Sequence, residues 1–92
     1  MNTKFRIEHI FAVGNKKHLK YFILAKCLEL ENNFSLSENS KLDGIAISNF
    51  LTQPRALDKD GNPRFDLFIF KLRFRKDYSS LTKDQIVTLY EE

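Results

Sequence analysis

Leu67-Phe68-Ile69-Phe70-Lys71-Leu72-Arg73-Phe74-Arg75 alternates apolar and cationic side chains with a period of two. Phe68, Phe70, Leu72 and Phe74 share one parity; Ile69, Lys71, Arg73 and Arg75 share the other. Successive side chains of a strand point to opposite faces, so the first set reads as core and the second as a face for solvent or a partner. Upstream, Gln53 to Arg64 carries Pro54, Asp58, Asp60-Gly61 and Pro63. Asp-Gly accepts left-handed backbone geometry, which makes this segment a long hairpin connection. Downstream, Ser79 to Asp84 reads as a turn, with one short helical turn started by the Ser and Thr hydroxyls as an option. In Gln85 to Tyr90, Ile86, Thr88 and Tyr90 then oppose Val87 and Leu89 as a last strand.

The same period recurs toward the N-terminus. Phe5, Ile7, His9, Phe11 and Val13 oppose Lys4, Arg6, Glu8, Ile10 and Ala12, and Gly14-Asn15-Lys16-Lys17 breaks the run as a turn. His18 to Glu31 is ambiguous. Leu24 and Leu28 are four residues apart among good helix formers, yet the near-continuous apolar run favours a strand buried on both faces. Asn32 to Asp43, rich in Asn, Ser and Glu, reads as a loop with room for a short strand, anchored by Phe34 and Leu36. Gly44 to Leu51 resumes alternation, with Ile45, Ile47 and Asn49 opposed to Ala46, Ser48 and Phe50. Short strands, short turns and no convincing long helix predict a mainly β fold. The expected form is a small antiparallel β-barrel of five to six strands, closed or partly open, with residues 1–92 as a single domain.

Composition sets outer limits. Ninety-two residues hold one core, and a 42% hydrophobic fraction with nine Phe residues argues against disorder. Fifteen Lys and Arg against twelve Asp and Glu give a formal charge of +3, which permits an acidic partner without marking a dedicated nucleic-acid binder. A lone Cys27 forms no internal disulfide, the opening residues have no uninterrupted apolar segment, and the longest apolar runs fall short of the about 20 residues that cross a bilayer. A cytoplasmic location is therefore expected, with no membrane partner.

Phe5-Arg6-Ile7-Glu8-His9-Ile10-Phe11 as an opening strand, the turn at Gly14, a strand near Tyr21 to Glu29, the Leu42-Asp43-Gly44-Ile45 stretch and the closing Gln85-Ile86-Val87-Thr88-Leu89 together resemble the β-barrel second domain of the translational GTPases, the elongation factor Tu family. The resemblance spans almost the whole chain. The family's Gly-Arg-Gly turn is here Gly14-Asn15-Lys16, its second-strand glycine is Ala25 or Lys26, and its Gly-Asp turn has no equivalent near Ser37 to Lys41. The resemblance implies a barrel that docks on a protein or RNA surface and, in the absence of a nucleotide-binding half, no GTP hydrolysis.

Catalytic constellations are sparse. His9, His18 and Cys27, with Glu8, Glu29 and Glu31, match no zinc spacing, and a free Cys more often fills a core than attacks a substrate. Asp58, Asp60, Asn62 and Asp66 resemble a fragment of a calcium loop, but Pro63 and the missing terminal Glu favour turn chemistry. The three glycines are isolated at turns and form no phosphate cradle. The expectation is a non-enzymatic protein without cofactor or metal.

The candidate binding residues are Lys71, Arg73 and Arg75, aligned at ~6.6 Å intervals on one strand face, with Lys76 adjacent. Arg55 and Arg64 flank the Asp58 to Asn62 turn beside them, and an exposed Tyr78 supplies a stacking ring. Lys and Arg on a half-buried strand also serve simply as its polar side and guard its edge. The expected function is a binding or accessory module that docks on an acidic protein or RNA. The alternative is a structural subunit or homo-oligomer that buries a Phe-rich surface.

Overall fold

A computed structural model describes residues 2–29, 40–52 and 57–90, with the backbone alone for 49–52. The elements in chain order are β1 (Asn2–Val13), β2 (Lys20–Cys27), β3 (Lys41–Leu42), β4 (Ile45–Thr52), β5 (Leu67–Leu72), a 3-10 helix (Arg75–Ser80) and β6 (Ile86–Tyr90). The strands pair antiparallel in the order β1-β2-β5-β4-β3-β6, and β6 returns to β1, so the ring closes. No helix among the described residues is long and apolar enough to cross a membrane.

The ambiguous second segment is a strand. Tyr21, Ile23, Ala25 and Cys27 are buried and Phe22, Leu24 and Lys26 half-buried, so both faces carry apolar contact, which explains why its pattern mimics a helix. Inside the ring, Phe5 meets Phe70 edge to face at 5.1 Å and Phe68 at 5.9 Å. Ile7, Ile23, Leu42, Ile47, Val87 and Leu89 fill the space around them, each essentially inaccessible. T-shaped ring pairs place the positive ring edge on the negative face and add to the burial energy.

Two irregularities reset the alternation. β1 is bulged between Ile7 and His9. Thr3, Phe5 and Ile7 therefore point inward, but Ile10 takes the next inward place and packs against the core, while His9 lies exposed outside. The expectation that His9 shares a face with Phe5 and Ile7 is corrected: an unpaired extra residue shifts every later side chain to the opposite face. A second shift between Ile47 and Asn49 sets β4 so that Asn49 pairs with Lys71 and Phe50 with Phe70.

Turn chemistry closes the ring. Gly14 has φ +122, and an added Cβ there would run into the backbone carbonyl of His18. Asn15 Oδ1 accepts from the amides of Lys17 and His18, both at 3.1 Å. Asp43 and Gly44 have φ 51 and 82, the two positive values of a type I′ hairpin turn, and the Asp43 amide donates to Thr88 O at 2.9 Å. The Asp58–Asn62 segment is a turn too: Asp58 Oδ1 accepts from the amides of Asp60 and Asn62, each at 2.9 Å. The helical turn starts at Arg75, before the Ser and Thr hydroxyls. Its N-cap is Phe74, which makes no side-chain capping bond, and Ser80 Oγ closes it on Asp77 O at 2.8 Å.

Candidate functional site

β5 ends at Leu72, so the expected cationic row does not continue along one strand. Lys71 lies on the outer face, opposite Phe22 and half-buried. The Arg73 amide still donates to Ala46 O at 3.0 Å, and then the chain coils into the 3-10 helix that carries Arg75 and Lys76. Regular ~6.6 Å spacing is thereby lost, because a 3-10 turn sends successive side chains around an axis instead of alternating them. Phe74, expected in the core, is 49% exposed with Lys76 Nζ 5.6 Å from its ring centroid.

Arg64 belongs elsewhere. It sits before β5, at the opposite end of the barrel from Arg73, roughly 20 Å away at ~3.3 Å per residue. There its guanidinium holds both Asp66 carboxylate oxygens at 3.0 Å, so it is engaged rather than offered to a partner. Arg55 lies outside the described residues. Tyr78 is not an exposed ring: it is half-buried against the core, and its centroid lies 4.6 Å from that of Tyr21.

What the fold does assemble is a cationic end. Val13 pairs with Lys20 and Phe22 with Lys71, so the β1–β2 hairpin carrying Lys16, Lys17 and Lys20 rises at the same end of the barrel as Arg73 and the 3-10 helix. Tyr21, Tyr78, Arg75, Lys76 and Ser79 line a cleft of about 590 Å³ there. Arg73, Arg75 and Lys76 are exposed, as are the three hairpin lysines. Among the described residues the ion pairs are Arg6 with Glu8 at 2.9 Å and Arg64 with Asp66, and neither draws on this end. Asp77, in the first turn of the helix, is the acid nearest in sequence. Sequence reading left out Lys16, Lys17, Lys20 and Tyr21, since only the pairing of β2 with β5 joins the first hairpin to the segment after Leu72.

The opposite end holds a pocket of about 570 Å³ lined by Lys26, Cys27, Glu29, Asp58 and the Arg64–Asp66 pair, among others. Cys27 is buried, and desolvation pushes its thiol above the ordinary range, with the nearby Glu29 and Asp66 charges acting the same way against the lowering effect of a hydrogen bond to the Glu29 backbone. A raised thiol is a poor nucleophile at neutral pH. Among the described residues no group of three His, Cys, Asp or Glu side chains is placed to hold a metal ion. Comparisons with known proteins return no matching family model, curated protein or solved structure.

Proposed function

We propose that the chain is a non-catalytic binding module that takes the phosphate backbone of RNA on the cationic end of the barrel. The observation that supports this reading is that Lys16, Lys17 and Lys20 stand at the same end of the barrel as Arg73, Arg75 and Lys76, where Arg75 and Lys76 line a cleft with Tyr21 and Tyr78. Cations track phosphates without demanding a sequence. The resemblance of the sequence to a translation-factor barrel implies docking on a protein or RNA surface. An acidic protein surface is the competing partner.

Fluorescence anisotropy of a labelled single-stranded RNA, titrated with the protein at several salt concentrations, tests the proposal. Neutralising about four phosphates gives a log–log slope near −2.8 and roughly fifty-fold weaker binding between 50 and 200 mM salt. The triple variant Arg73→Glu, Arg75→Glu, Lys76→Glu should lose binding while keeping the wild-type circular dichroism. RNA binding that ignores both salt and this variant would discard the proposal, and no RNA binding beside salt-sensitive binding of labelled polyglutamate would favour the acidic protein.

A further inference from the structure

β6 pairs with β1 from Asn2 to Arg6. The bonds Ile7 N to Gln85 O, at 2.9 Å, and Asp84 N to Ile7 O, at 2.7 Å, carry that closure one residue further. Beyond Ile7, among the described residues, β1 pairs with β2 alone, so His9-Ile10-Phe11-Ala12-Val13 is an edge. This run contains no Lys, Pro or acid, the residues by which exposed edges are normally kept from pairing with another chain. Val13 is 54% exposed, and His9 and Ala12 are exposed as well. On the outer face His9, Phe11 and Phe22 form a ring stack, with centroids 5.7 Å apart for His9–Phe11 and 5.4 Å for Phe11–Phe22.

We propose that two copies of the chain join edge to edge through this half of β1, antiparallel about Phe11, into one sheet that crosses a two-fold axis. The segment is complementary to itself. In that register His9 faces Val13 of the second copy, Ile10 faces Ala12, and Phe11 faces Phe11, so each outer ring stack meets its mate at the axis. Glu8, just before the run, falls opposite Gly14, two residues ahead of the Lys16-Lys17 pair of the second copy, and opposite charges approach on both sides of the axis. An isologous contact uses the same edge of both copies and closes at the dimer. The inference does not rest on RNA binding: its central contacts are backbone and apolar, and it shares only Lys16 and Lys17 with the cationic end.

Sedimentation equilibrium from low to high micromolar concentration is the test, together with Val13→Lys, a substitution at an exposed edge site that leaves the core untouched. The wild type should dimerise, and Val13→Lys should weaken the dimer about ten-fold or more with an unchanged far-ultraviolet spectrum. The register is read separately with His9→Cys and Val13→Cys combined in a Cys27→Ala background. Positions four apart on one strand stand ~13 Å from each other and cannot bridge within a chain, so mild oxidation should give a covalent dimer. A wild type that is monomeric at every concentration would overturn the proposal. So would a dimer indifferent to Val13→Lys, or one that gives no cross-link.

Discussion

The Asp66 carboxylate is held below its usual range chiefly by the hydrogen bonds from Arg64, reinforced by that cation's charge against the opposing effect of partial burial. A carboxylate lowered by folding stabilises above its ordinary range, and that contribution is lost as pH falls through the lowered value. With the two side chains 30% and 33% exposed the effect is small, about 1 kcal/mol or less. Asp66→Asn should therefore unfold in urea slightly more easily than wild type at pH 7, with the gap closing in acid; a constant gap would show that the pair does not set the acid sensitivity. Cys27 has the opposite sign. Its raised thiol keeps the neutral form, so its contribution is complete below the ordinary thiol range and declines as pH rises past it. Iodoacetamide should label Cys27 many-fold more slowly in the folded protein at pH 8 than in urea, as followed by mass spectrometry. Equal rates would mean that the thiol is open to solvent.

Among the elements, the β1–β2 hairpin depends most on one residue. Gly14→Ala combines a disfavoured positive φ with a collision against the His18 carbonyl, so it should cost more than the ~1 kcal/mol of an ordinary glycine replacement. Urea denaturation measures this, and hydrogen exchange at Phe11 to Phe22 should show faster opening there than in β6. The strands were legible because period-two patterning survives wherever one face is buried: β6 follows it as read, and β5 does as far as Leu72. The pattern misled at His9 and Phe74. A bulge and a 3-10 turn depend on how the ring closes in three dimensions, and neither leaves a local mark in the composition.

At the scale of the whole molecule, every strand of the ring relies on its two neighbours, so damage to one wall is felt throughout. Phe70→Ala empties the space between Phe5 and the sheet and should cost about 3–5 kcal/mol. Calorimetry should register the loss as a single shifted transition; a separate early transition would mean that the ring does not unfold as a unit. The cationic end was half legible for the same global reason. Arg73, Arg75 and Lys76 stand together in sequence, but their lysine neighbours lie more than fifty positions earlier and are joined to them only by strand order. The bulge in β1 has an outcome for insertions and deletions. Positions that reject polar substitution should fall at Phe5 and Ile7 and then, out of phase, at Ile10. Deleting Glu8 would remove the extra residue and restore plain alternation, with Ile7 and Ile10 still inward and His9 still outside. Adding a second residue nearby is the harsher change, because it turns Ile10 outward and His9 toward the apolar interior.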